Sequence, residues 1–327
     1  QAWMATGTAA RLEAFRNLTQ DQIDDYKSEA SSRCYWSVFI LERAFFPQRT
    51  SLQDTGNIVD YPPSSPLPSS IPSGREIGYR SDIFTSEENI KDFGINAYYI
   101  RMMSIWGDIA LYLHDTRFGK SETPWSPDST HIRLNMRLHE FEAQLPQSHL
   151  IRNLFFSKRS RAELDECHEY WMPWVMMQVI SHSSSAMVNH PFIHLVALKE
   201  RSGVSQSSNF LQQTVDQALF HSGWVFRLVR TLDDLGLELN NPFIGHLVAA
   251  TATIPWIFQF AKDQQVSSNA NRDLDTCARF LAQAAPNWPS IAQKVRFRLR
   301  PHIFRISRTL TSFLARGPTK SSVDCRK

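Results

Sequence analysis

Residues 85–113 read TSEENIKDFGINAYYIRMMSIWGDIALYL, and this stretch decides the fold. Thr85-Ser86-Glu87-Glu88 brings cap residues followed at once by acids, which suit the positive end of a helix. Ile90, Phe93, Ala97, Ile100, Met103, Trp106, Ala110 and Leu113 then recur at steps of three and four, one apolar stripe with the helical period. Gly107 interrupts the run at a cost of about 1 kcal/mol relative to Ala, or admits a neighbour where a side chain would stand. The period repeats outward in both directions. On the N-terminal side Ala30, Cys34, Val38, Leu41 and Phe45 fall on one face, ended by Pro47. On the C-terminal side a helix capped by Ser129 or Thr130 carries Ile132, Met136, Phe141 and Leu145 and stops at Pro146. A helix from about Ala162 to Val188 contains Pro173, which predicts a kink or a boundary. His190-Pro191 looks like a cap followed by proline at the first helical position. Helices over Phe210–Leu235, Phe243–Lys262 and Asp273–Ala285 follow, and Ile303, Ile306, Leu310 and Phe313 stripe a last one. No run alternates as a strand does. The chain reads as all-α, with eight to ten helices.

Composition agrees. The chain has 327 residues, 42% hydrophobic and 20% charged, enough apolar material for a large core, so wholesale disorder is excluded. With 12 glycines it fits an all-β or glycine-rich nucleotide fold poorly. The stretch PPSSPLPSSIPSG, residues 62–74, holds five prolines and five serines and reads as part of an exposed Pro/Ser-rich loop over 47–85. The segment Phe243–Ala261 is apolar, but His246, Thr251, Thr253, Pro255 and Gln259 interrupt it, so it reads as a buried helix rather than a membrane span. Ten Lys or Arg against Asp324 give Lys294–Lys327 a charge of +9, leaving −6 for the rest of a chain of net +3. That basic end is open to two readings, a solvated helix face with a frayed tail over 316–327, or a contact for nucleic acid or an acidic partner.

Candidate chemistry is sparse. Cys34, Cys167, Cys277 and Cys325 are scattered, with no CxxC pair, and read as reduced, intracellular thiols. His190 and His194 stand four apart, as two metal ligands on a helix face do, without an evident third ligand. Cys167-His168 and His182 offer a nucleophile–base pair with nothing to orient it. The acids Asp24-Asp25 with Glu29 and Asp233-Asp234 with Glu238 resemble the magnesium-binding carboxylates of terpene synthases, an alternative, enzymatic reading. Position 237 is Leu where the commonest pattern has an acid, and no second metal motif follows. Asp233-Asp234 before Gly236 also reads as a plain helix end. No residue is assigned as catalytic, as a metal ligand or as cofactor-binding, and the chain is expected not to be an enzyme.

The segment SSRCYWSVFILER, Ser31–Arg43, resembles the signature of the fungal-specific transcription factor domain, the middle homology region of fungal zinc-cluster regulators. Arg33, Trp36, Glu42 and Arg43 occupy the family's arginine, tryptophan and acid–arginine positions. Met187–Phe192 and Asn241–Thr251 are similar to later segments of the same family. After Arg43 the chain departs from the frequent Gly-Arg-Pro, with Ala44-Phe45-Phe46-Pro47. The resemblance implies an all-helical regulatory domain over 1–315, nuclear, gating transcription in response to a small molecule, the transcription machinery or another partner, with homodimerisation as one form of assembly. It implies DNA contact and zinc only through a six-cysteine cluster upstream, which this chain's cysteines do not form. The chain begins with Gln1, which reads as a piece of a longer product. Within the signature, Trp36 and Phe39 are expected in the core. Glu42 or Arg43 is expected either in a buried ion pair with a distant partner or exposed at the helix end.

Overall fold

The computed structural model describes residues 8–9, 12, 29–45, 60–69, 92–118, 122–193, 208–289 and 291. Among them nine helices of six residues or more form the architecture, with no strand. They are α1 (Glu29–Phe45), α2 (Ile95–Arg117), α3 (Thr130–Gln144), α4 (Arg161–Glu166), α5 (His168–Val188), α6 (Ser208–Asp234), α7 (Pro242–Thr251), α8 (Thr253–Phe258) and α9 (Gln264–Ala284). The protein is all-α. It divides into two compact units: residues 1–184 with 233–237, and residues 185–232 with 238–327. No helix among the described residues is long and apolar enough to cross a membrane.

In the first unit α1 packs on α2 and α2 on α3. The helix expected from Thr85 starts only at Ile95. Gly94, at φ 82°, is its N-cap and offers no side chain to the first turn. Residues 85–91 lie outside the described residues. α1 buries a different face from the one its aliphatic spacing predicts. Tyr35, Trp36 and Phe39 are inside, whereas Cys34 and Leu41 are exposed and Phe45 is 39% exposed. The bulky rings win the core because they remove far more apolar surface than the aliphatic face does. α3 is capped by Ser129, which accepts from the Ile132 N–H. It buries Leu134, Leu138 and Phe141 and leaves Met136 exposed.

The single long helix expected from Ala162 is two. Ser160 and Glu163 form a capping box on α4, and the break falls at Cys167, before Pro173, which α5 carries in its second turn. Ahead of this, Phe155 adopts a left-handed backbone (φ 47°) between a helical turn at Ile151–Leu154 and a 3₁₀ turn at Phe156–Lys158. That reversal sets Phe156 against Trp171 and Trp174, with centroids 5.3 and 5.1 Å away.

The Pro/Ser-rich segment also departs from its expected role. Most of 47–85 lies outside the described residues, but residues 60–69 form an irregular strap held against the first unit. Tyr61 stacks on Trp36 with centroids 5.0 Å apart. Ser64 Oγ accepts from the Asn96 N–H at 2.9 Å and so caps α2 from 32 positions away. Ser65 donates to Glu169 at 2.9 Å.

In the second unit the amphipathic reading of α6 holds. Val215, Ala218, Val225, Leu228 and Leu232 are all buried. Val215 and Ala218 join Ala186, Ile254, Ile257, Phe258 and Ala270 in one cluster. The helix expected over Phe243–Lys262 breaks at Ala252 into α7 and α8. Asn241 caps α7, with Pro242 at its first position. α9 begins nine residues before the expected Asp273. Asp263 accepts from the Gln265 and Val266 N–H groups, and this cap starts the helix ahead of the apolar face. The striped segment Ile303–Phe313, the basic end from Lys294 and the tail 316–327 lie outside the described residues.

Candidate functional site: the signature helix and the His149 hub

α1 places the four signature residues differently. Arg33 is exposed, and its carbonyl accepts from Ser37 Oγ at 2.7 Å. Trp36 is 1% exposed, with Phe39 and Tyr35 against it in edge contacts at 5.3 and 5.0 Å. Glu42 and Arg43 are both buried rather than exposed at the helix end. The Arg43 guanidinium lies over the Phe39 ring at 4.9 Å and 3.6 Å from Asp108 on α2. Arg137 on α3 also donates to Asp108, so one carboxylate joins three helices. Gly107 makes room for this arrangement. A Cβ there would stand 2.4 Å from Arg43 Cδ. The arginine stem therefore occupies the space the glycine leaves, the second of the two readings its sequence position allowed.

A second polar centre lies in the same unit, and sequence reasoning missed it. His149 is buried, with rings of Tyr98 and Tyr170 at 5.3 and 5.8 Å. Its Nε2 lies 3.1 Å from both Asp92 carboxylate oxygens, and its Nδ1 lies 2.8 Å from the Tyr170 hydroxyl. For a neutral ring this fixes the tautomer: Nε2–H donates to Asp92, and Nδ1 accepts from Tyr170. The His149 carbonyl accepts from Trp174 Nε1 at 2.8 Å. Asp92 also accepts from the Gly94 N–H at 2.8 Å. Burial pushes the Tyr98 and Tyr170 phenols up. An acid–imidazole–phenol row can relay a proton, but Tyr170 is fully buried and offers no reacting atom to solvent. Here the row ties Asp92, the 3₁₀ turn at Gln147–His149 and α5 together. The partners are 57 and 21 positions from His149, so no local spacing reveals them.

The other candidates resolve individually. Asp233 and Asp234 end α6, and Gly236 at φ 64° follows them, its carbonyl accepting from Arg161. This is the helix-end geometry. Among the described residues no group of three His, Cys, Asp or Glu is placed to hold a metal ion. Asp24, Asp25 and the Glu29 side chain lie outside the described residues, as does His194. His190 is a cap. Its Nδ1 accepts from the Phe192 N–H at 3.2 Å, and its Nε2 lies 2.9 Å from Thr253 Oγ1. Burial pushes its imidazole down to about 4, so the ring is neutral near pH 7. Cys167 is half-buried, His168 exposed and His182 half-buried. Cys277 is buried, 4.0 Å from the Val248 carbonyl.

Comparison with known proteins gives one distant relative, an uncharacterized transcriptional regulatory protein of Schizosaccharomyces pombe. It is 24% identical over 206 residues, a stretch covering 61% of this chain and 24% of the relative. The match therefore spans about a quarter of that protein's length. No family model matches the chain. No solved structure matches it.

Proposed function

We propose that this chain is the regulatory region of a fungal transcription regulator, acting in the nucleus. The observation that carries this reading is the sequence relation, over 206 residues, to a protein named as a transcriptional regulator. The signature resemblance at Arg33, Trp36, Glu42 and Arg43 supports it, as does the all-helical architecture. In this reading the chain does not catalyse a reaction and holds no cofactor of its own. DNA contact and zinc belong to a cysteine cluster elsewhere in the full product. The chain gates activation by shifting between two packings of its helices when an effector, a second copy or a component of the transcription machinery binds one of them better. Chromatin immunoprecipitation of the full product, followed by its rapid depletion, tests this. Occupancy at a set of promoters, with altered transcripts from the same genes, is the expected result. Absence of promoter occupancy with unchanged transcripts contradicts it.

A further inference from the structure

The face of α6 opposite its buried stripe carries an aromatic ring between two opposite charges. Phe220 is 59% exposed, and Asp216 and Arg227 are exposed. At about 100° per residue, Asp216, Phe220, Gly223 and Arg227 fall within an arc of about 60°. Single exposed rings are common on protein surfaces, so the setting of this one decides what it does. Gly223 stands one turn beyond Phe220, and a Cβ there would meet nothing within 4 Å. The glycine therefore leaves a recess in the helix surface that the Phe220 ring does not fill. That ring is held edge-on to His221 at 5.1 Å and to Trp224 at 6.4 Å. The Arg227 guanidinium lies over the Trp224 ring at 4.7 Å, a stacking that leaves its N–H edges to meet an acceptor. Asp216 accepts from Gln212 Nε2 at 2.8 Å through one oxygen, and a carboxylate has capacity for further donors.

These four positions complement themselves. Let a second copy of α6 lie antiparallel to the first, with the two-fold axis between positions 221 and 222. Asp216 then faces the second copy's Arg227, and in the same register Phe220 faces the second copy's Gly223. Each contact occurs twice, as pairing of one patch with itself requires. The two ion pairs lie about 8 Å along the helix from the centre, within reach of an arginine side chain when the helices cross at a shallow angle. The glycine lets the two backbones approach and receives the ring. For an unrelated partner, nothing would require the charge pair and the ring–recess pair to share one register. We infer that this face of α6 is a homodimer interface, occupied by a second copy of this chain. One helix pair is at the small end of specific interfaces, which sets a dissociation constant on the order of 10 μM. The inference stands on α6 alone and is independent of the regulatory reading, which promoter occupancy tests.

Sedimentation velocity on the full chain tests this, over concentrations from about 1 to about 100 μM. The wild-type chain is expected to pass from monomer to dimer across that range. Asp216→Arg alone and Arg227→Asp alone each set like charges opposite one another, and each should weaken association by about thirtyfold or more. Mixed in equal amounts, the two variants restore opposite charges at both pairs, so the mixture is expected to dimerise as the wild type does. That arm separates loss of the interface from loss of the fold, because a misfolded variant does not recover on mixing. Phe220→Ala removes a ring that already faces solvent and should weaken the dimer about tenfold. A wild-type chain that stays monomeric throughout overturns the proposal. So does a dimer that survives either charge reversal or Phe220→Ala, and so does a mixture of the two charge variants that stays monomeric.

Discussion

The α1–strap–α2 region and the α6–α9 region solve the same packing problem with different materials. In the first, aromatic rings and polar groups far apart in sequence do the joining: Trp36 with Tyr61 and Asp60, Arg43 with Asp108, Ser64 with Asn96. In the second, the core is mostly aliphatic and small: Ala186, Val215, Ala218, Ile254, Ile257 and Ala270. Its main ionic tie is Arg230, which donates to Asp273 at 2.7 Å. Aliphatic burial is non-directional and tolerates repacking, whereas directional polar joints fix one arrangement and fail sharply when a partner is lost. The first region is thus the one in which single substitutions should have specific, switch-like effects.

The largest expected effect tests the aromatic joint between α1 and the strap in the first region. Trp36→Ala removes a fully buried ring, its stack on Tyr61 and its hydrogen bond to Asp60, at about 4 kcal/mol, read by urea unfolding. A loss below 1 kcal/mol would mean that the strap and α1 are not joined there.

Next comes the second region's response to acid. The His190 imidazole is held near 4 in the folded chain, below its ordinary unfolded value of about 6.5. Between these values the unfolded chain binds the proton and the folded chain does not, so stability falls as pH is lowered from about 6.5 to about 4, by at most about 3 kcal/mol. His190→Asn keeps an acceptor for the Phe192 N–H and should flatten that part of the pH profile in urea titrations.

Arg43→Met should cost about 1–2 kcal/mol, less than a fully buried pair, because Asp108 is 38% exposed and keeps Arg137. Arg137→Met added to it should cost more than the sum of the two single changes. Additive losses would show that the three-helix carboxylate is not a shared joint.

The smallest effects contrast two helical glycines of the two regions. Gly107→Ala drives a Cβ into Arg43 and should destabilise by about 1 kcal/mol despite the better helix propensity. Gly223→Ala on α6 meets nothing within 4 Å and should stabilise by about 0.5–1 kcal/mol. Equal thermal shifts for the two would remove the contrast in packing.

The same contrast explains what the sequence could show. Helices and the cap at Ser129 were legible because both depend on neighbours within four positions. The stripe of α6 was legible because an aliphatic core follows period 3.6. The buried face of α1 was not: Cys34, Leu41 and Phe45 keep the period, but Tyr35, Trp36 and Phe39 take the core through contacts with Tyr61 and Ile100. The start of α2 was misplaced because the cap comes from Ser64, outside any local window. The expectation that Trp36 and Phe39 are buried, and one of the two readings left open for Glu42 or Arg43, a buried pair with a distant partner, came from reading the signature as packing chemistry. The identity of Asp108, and the whole His149 hub, needed the fold.

The most direct test of the regulatory reading is a tethered reporter assay. Residues 1–327 are fused to an unrelated DNA-binding domain and compared with that domain alone, at matched protein level, beside the Trp36→Ala fusion. The account predicts that the wild-type fusion changes reporter transcription and that Trp36→Ala abolishes the change. Equal output from the wild-type fusion and the bare DNA-binding domain, with the fusion shown to be folded, would contradict it.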